Sequence, residues 1–422
     1  MTASAGGLAM RAASTDITPV SPSALFGRIG RTGDFTHVAS RLEANCLLIE
    51  NGKGSPAATI AIDSLYPSQS LIDAVRNLCA VGGLNFATDA LMFVASHTHN
   101  APALDDTKPK LGQFDPAYLE HTAQQIADCL LGLNGSNANV TNMAIASSNC
   151  GASIFRRRKA FGLNLSTLRP ETRMMMAPNP HVGIDHQLKL LVLSDNDGTA
   201  RCVIWSWACH AVSEPEEMSV SADFPGVLRT HIRAVLDNES LPVLYFPGFS
   251  GDIRPASASL IPLHKSGKWV GAGRRFGKAS AAYAERLHGA LKHSINAAFS
   301  GLSLCGAASE MDFSRTNRHL PLSDIRSEAA SLAPLTCQDW SIGPARIKAV
   351  SSEIASPYSS AAGGGDALAF VTGCAGQVFG YLPTDSQIPE GGYEVSGFAP
   401  MFSIPGDFNT AIEAQIAELI GP

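Results

Sequence analysis

The 422 residues suffice for one large domain or two to three ordinary ones, and with 45% hydrophobic and 16% charged residues they exclude disorder and a coiled coil. The 31 Lys and Arg against 37 Asp and Glu give a formal net charge of −6, which leaves no basic footprint for nucleic acid. Nine cysteines without a CxxC pair point to free thiols, and without an apolar run of about 18 residues or a basic-then-apolar leader the chain reads as cytoplasmic, with no stable membrane insertion.

In chain order, apolar segments of strand length occupy residues 45–50 (NCLLIE), 57–62 (AATIAI), 90–95 (ALMFVA), 188–193 (LKLLVL), 202–207 (CVIWSW) and 241–246 (LPVLYF). Their near-continuous apolarity predicts strands covered on both faces. Stretches with helical spacing lie between them, at 68–81, 116–131 and 224–237. This alternation predicts an α/β fold, a mixed buried β-sheet core flanked by helices. A longer packing helix is expected over about 274–298, where Phe276, Ala279, Tyr283, Leu287, Leu291 and Ile295 recur three to four apart. Residues 320–342 read as irregular and polar, 356–365 (SPYSSAAGGG) as a flexible loop, and 368–371 as a last apolar strand.

Chemistry-bearing residues gather where strands end. His97 and His99, two apart after the 90–95 strand, point to one face of an extended chain and suit a divalent metal. The same pair would also be read as one exposed and one hydrogen-bonded histidine. His210 follows the 202–207 strand in the same way, although a lone histidine there is more often a satisfied core residue. Carboxyl ends of strands are where α/β folds place their sites, and such donors on zinc leave a position for water. Asp223 opens the third helix and reads as a cap. Gly248 and Gly251 in GFSGD either let backbone N–H groups approach a ligand or make an ordinary turn. The basic run at 156–159 is either a solvated face or supplies an arginine that polarises a carbonyl or grips an anion.

Taken in order, 16–19 (DITP), 97–102 (HTHNAP), Arg156 with Arg157, Asp185, His210, 221–226 (SADFPG) and 248–255 (GFSGDIRP) resemble the motifs of the neutral/alkaline non-lysosomal ceramidase family. Residues 346–353, 381–384 (YLPT) and 391–395 (GGYEV) extend the resemblance over roughly residues 11–397. It implies a ceramidase-like catalytic domain, here one large metal-dependent hydrolase domain over residues 1–422, with one Zn2+ held by His97, His210, Glu353 and Tyr393. Within it His99 or Asp252 would manage protons, and Arg156 with Tyr393 would stabilise an oxyanion. Arg157, Arg254 and Gly248 would bind substrate, Arg254 taking a carboxylate or other anion.

Two departures shape the expected substrate. Phe155 replaces the family's Asn before the arginine motif, and Arg254 replaces the serine of its GDxSP element. The expectation is therefore a zinc-dependent hydrolase that cleaves the amide bond of a small soluble, anionic N-acyl compound. The chain also stops short of the family's immunoglobulin-like domain, which argues against membrane ceramide. A zinc lactonase or esterase, and a metal-binding pseudoenzyme, are the alternatives.

Overall fold

The computed structural model describes residues 8–50, 56–135, 140–256, 260–262, 268–271, 273–307, 310–324, 331–404, 406–408 and 411–421. Three mixed sheets carry the architecture. The first orders Ala9–Asp16, Glu43–Glu50, Ala57–Ile62 and Leu91–Ala95, with only the last pair parallel. The second orders Val243–Pro247, Ala200–Trp207, Gln187–Ser194, Asn142–Asn149 and Ser303–Ala307, again with one parallel pair at its first edge. The third orders Ala369–Thr372, Ala345–Val350, Ser331–Ile342, Met311–Asp324 and Gly406–Asp407, and only its first pair is parallel.

Alternate residues of each strand enter different cores, which is why the segments read as continuously apolar. Leu47, Ile49, Met92 and Val94 meet Leu191, Leu193, Ile204 and Phe246 of the second sheet and Trp340, Ile347 and Phe370 of the third in one shared interior. Their neighbours Leu48, Ile60, Ile62 and Phe93 face outward onto the helices Gln69–Val81 and Pro116–Leu133. Leu188, Leu190, Val203 and Trp205 pack against the helices Asp223–Val235 and Ala281–Ser300. Helix Glu413–Ile420 covers the third sheet through Ile416 and Leu419. Each such buried Leu, Ile or Val contributes about 1.5–3 kcal/mol.

Helix starts follow local chemistry. Ser68 Oγ accepts the Leu71 N–H at 3.1 Å, and Asp115 accepts the Ala117 N–H at 3.0 Å ahead of Pro116 at the first helical position. The helix expected over 274–298 begins only at Ala281, because Ser280 caps it and Arg274–Phe276 is a short strand paired with Leu260–Pro262. Residues 320–342 are not irregular. Met311–Asp324 and Ser331–Ile342 pair as antiparallel strands in which Leu320, Leu322, Ala333, Leu335 and Cys337 are buried, and residues 325–330 lie outside the described residues. Between the buried positions Pro334 is exposed and Thr336 half-buried, a period of two that resembles loop composition when read as an average. The 356–365 segment holds a helical turn, Tyr358–Ala361, with Tyr358 buried and its hydroxyl donating to Pro383 O at 3.0 Å.

All nine cysteines are free. Among the described residues no helix is long and apolar enough to cross a membrane.

Candidate metal centre

Each sheet contributes one parallel-paired strand whose carboxyl end points at the same place. Leu91–Ala95 leads to His97, Ala200–Trp207 to His210, and Ala345–Val350 to Glu353. Glu353 lies on a two-residue strand paired in parallel with Tyr381–Leu382, which sets Tyr381 opposite it. His97 adopts φ 63°, a left-handed conformation that costs a non-glycine residue on the order of 1–3 kcal/mol. Flanking hydrogen bonds hold it there: Ser96 N–H donates to Ile62 O at 2.8 Å, and Ala95 N–H to Cys374 O at 3.0 Å.

Ligand atoms of His97, His210 and Glu353 lie within 4.8 Å of one another, and all three residues are buried. Glu353 Oε2 is 3.3 Å from His97 Nε2 and 3.0 Å from His210 Nε2. His97 Nδ1 lies 3.2 Å from Leu65 O and 3.5 Å from Cys374 Sγ, and its buried Nε2 meets no hydrogen-bond partner. Burial opposes a charge on the ring, yet Cys374 and Glu353 hold its pKa well above the ordinary value, so a cation bound there would take the place of a proton. His99 is built alike: Nδ1 donates to Gly27 O at 2.8 Å, and its buried Nε2 is also unpartnered. Glu353 Oε2 likewise has no hydrogen bond, while its Oε1 accepts from the Tyr66 hydroxyl. Buried polar atoms are rarely left unpaired. Unpaired imidazole nitrogen and carboxylate oxygen aimed at a common point therefore fit a divalent cation.

The electrostatics suit that fit. Burial opposes ionisation of Glu353, yet His97 and His210 hold its carboxyl well below the usual carboxylate range. Burial and Arg156 push His210 down to about 3, and burial with His97, Arg28 and His210 pushes His99 well below its ordinary value. Both rings are thus neutral at physiological pH, the form that can ligate or accept a proton.

Arg156 is buried beside the ligands. Its Nε donates to Glu394 Oε1 at 2.7 Å, its Nη1 to His210 Nε2 at 2.8 Å, and its Nη2 has no partner. The guanidinium lies 5.4 Å from the Tyr381 ring centroid. Tyr393 packs edge-on to Tyr381 at 5.4 Å and opens a π-helical turn, Tyr393–Gly397, a geometry that recurs at functional sites.

Three residues expected at the site, Arg157, Asp252 and Gly248, do other work. Arg157 is buried and braces the 387–394 loop, donating to Glu394 Oε2 at 2.8 Å and Gly391 O at 2.9 Å, so its fork is not free for substrate. Asp252 is fully buried with Oδ1 accepting Ser356 N–H and Oδ2 accepting Gln387 Nε2, both at 2.9 Å, so its carboxyl ties together the loops at 356 and 387. Gly248 turns to Ala208, not to a ligand: an added Cβ would stand 2.9 Å from the Ala208 Cβ, and its N–H donates to Trp207 O at 3.2 Å. Asp223 stands at the start of its helix, after Ala222, with a non-helical φ of 56°, and its Oδ1 accepts the Phe224 N–H at 2.6 Å, as a capping carboxylate does. Its Oδ2 accepts Ser213 N–H at 2.8 Å and Glu214 N–H at 2.9 Å, pinning the loop that follows His210.

Gly251 does permit a close approach, but to the backbone of a proposed ligand. A Cβ there would lie 2.4 Å from Glu353 O, and the Gly251 N–H donates to Ile354 O at 2.9 Å. Tyr66, Tyr381 and Glu394 were missed from sequence. Tyr381 and Glu394 stood inside recognised motifs, whereas Tyr66 carried no signal beyond its place after a buried strand.

No known family model matches the chain, and no curated protein does. Among solved structures, the neutral ceramidase from Pseudomonas aeruginosa superposes with a TM-score of 0.68 at 14% identity, over 96% of this chain and 72% of that one. A structure of a ceramidase complexed with C2 gives a TM-score of 0.67, also at 14% identity, over 95% and 72%. The fold is therefore neutral-ceramidase-like, α/β with mixed sheets flanked by helices.

Proposed function

We propose that this chain is a zinc-dependent hydrolase that cleaves the amide bond of a small N-acyl compound, acting as one domain because its ligands come from three sheets. The observation that carries the reading is the convergence of unpaired, buried His97 Nε2 and Glu353 Oε2 with His210 at the ends of three strands. Amide chemistry rather than another hydrolysis is supported by the fold, since the neighbours that share it are ceramidases.

His97, His210 and Glu353 would hold the ion, with Tyr393 beside them, and the mixed nitrogen and oxygen set suits zinc. Such an ion, when bound, supplies Lewis acidity and brings the pKa of water down toward neutrality. The protein's own groups do the rest. Arg156 Nη2, buried and unpartnered, donates to the carbonyl oxygen of the substrate, and Glu394 fixes its direction. The Tyr393 hydroxyl supports the same oxygen. His99 Nε2, kept as a bare lone pair by the Nδ1–H bond to Gly27 O, accepts a proton from the attacking water and returns it to the leaving nitrogen.

One observation favours the rival reading, a scaffold without turnover: Arg156 Nη1 occupies the His210 Nε2 lone pair that the ion needs. An ion held by His210 would take that lone pair in place of the Arg156 Nη1 proton, and Nη1 would then be available beside Nη2 as a donor. The test is metal analysis of protein purified without chelators, followed by a panel of N-acyl amides, matched esters and lactones. Stoichiometric zinc with amide cleavage is expected. Absence of bound metal, or metal-loaded protein inert on the whole panel, refutes the reading, and activity confined to esters or lactones reassigns the bond.

A further inference from the structure

Beside the metal centre the protein gathers more positive charge than it neutralises. Arg254 is half-buried, its guanidinium 5.2 Å from the Phe276 ring centroid and its Nη1 3.5 Å from Met176 Sδ. Arg31 Nη2 donates to His99 O at 2.8 Å, while its Nε and Nη1 are buried without partners. Among the described residues no carboxylate lies within 4.0 Å of either guanidinium. Arg28 reaches Asn100 Oδ1 at 3.5 Å and Glu217 Oε1 at 3.3 Å, and Lys278 shares that carboxylate at 2.8 Å. Glu217 is thus one negative charge among Arg28, Arg31 and Lys278.

These cations hang from the loops that carry the histidines. Arg31 holds the carbonyl of His99, Arg28 the side chain of Asn100, and Arg254 follows Ile253, whose carbonyl accepts the His210 N–H at 3.4 Å. The strand of Arg254, Ile253–Pro255, pairs with Ser153–Phe155 immediately before Arg156. Burial, then Arg156 and Arg28, press Arg254 down to about 10, and burial with Arg28 does the same to Arg31. A guanidinium removed from water without an acid partner is costly, and a planar oxyanion that takes two of its N–H groups removes that cost.

We propose that Arg254, Arg31 and Arg28 form an oxyanion-recognition subsite at the rim of the metal centre, and that the substrate is an N-acyl compound bearing a carboxylate near the scissile amide. The identity of the scissile bond rests on the hydrolase reading above; the subsite itself does not.

Two measurements on zinc-loaded full-length protein separate the two ideas. Hydrolysis of N-hexanoylglycine is compared with that of N-hexanoylglycinamide, in wild type, Arg254→Met and Arg31→Met. Calorimetric titration with sulfate at constant ionic strength provides a probe that cannot be hydrolysed. We expect kcat/KM at least tenfold higher for the carboxylate, a preference that collapses in Arg254→Met through KM rather than kcat, the signature of lost binding. Sulfate affinity should fall at least tenfold in both variants. Equal turnover of the two substrates, or sulfate binding unchanged in both variants, overturns the subsite. If neither substrate is hydrolysed but sulfate binds and both variants weaken it, the hydrolase reading fails and the subsite stands. Should Arg254→Met fail to fold, Arg254→Gln and Arg31→Met carry the same comparison.

Discussion

Gly251→Ala tests whether the backbone beneath Glu353 sets the metal site. The added methyl would stand 2.4 Å from Glu353 O, 2.9 Å from Ile354 O and 3.0 Å from Glu353 C. These are backbone atoms that cannot swing aside, so Glu353 must withdraw by roughly 0.6 Å merely to reach 3.0 Å. Overpacking of this kind costs about 1–3 kcal/mol of stability. The shift also drags Oε2 from its place 3.0 Å from His210 Nε2, and displacements near an ångström at a site cost roughly 100-fold. We therefore expect zinc affinity, measured by competition with a chromophoric chelator, to fall about 10–100-fold. Gly162→Ala is the control, because its Cβ would meet the Trp269 indole at 2.4 Å, in a different part of the fold. It should lose comparable stability and keep zinc affinity. Gly251→Ala binding zinc within twofold of wild type while its melting temperature falls would refute the reasoning.

Glu394→Gln removes the carboxylate shared by buried Arg156 and Arg157, and breaking such a pairing costs roughly 3–5 kcal/mol, so urea unfolding should show that loss; a change under about 1 kcal/mol would contradict it. Tyr66→Phe keeps the ring contacts with Phe26 and Phe402 but removes the donor to Glu353, so zinc affinity should drop about 10–100-fold and the metal-free protein should lose about 1–3 kcal/mol of unfolding free energy, because Glu353 Oε1 is left buried without a donor. In metal-free protein, His210 is held neutral down to about 3, whereas in the unfolded chain it protonates below roughly 6.5. The unfolded state then binds the extra proton, so this contribution is present above pH about 6.5 and is lost as pH falls toward 3, at about 1.4 kcal/mol per pH unit. Unfolding titrations of wild type and His210→Gln should diverge by that slope, and parallel curves would count against a neutral buried His210.

Local pattern alone made the buried strands, the helical stretches at 68–81 and 116–131, and two histidine-bearing strand ends legible, because apolar periodicity acts within a few residues. Glu353 and Tyr393 carried no spacing signal and entered only through the order of motifs. The long antiparallel pair within 311–342 was misread because alternating burial disappears in average composition. Tertiary structure alone decided which polar groups are free. Tyr66 and Glu353 stand 287 residues apart and meet because three sheets close on one interior. The same packing consumes Arg157 and Asp252 in bracing loops and, among the described residues, brings no carboxylate into ion-pair range of Arg31 or Arg254. An arginine's place in the chain gives its charge, but whether that charge is spent inside the protein or kept for a ligand depends on which carboxylates the fold brings within reach.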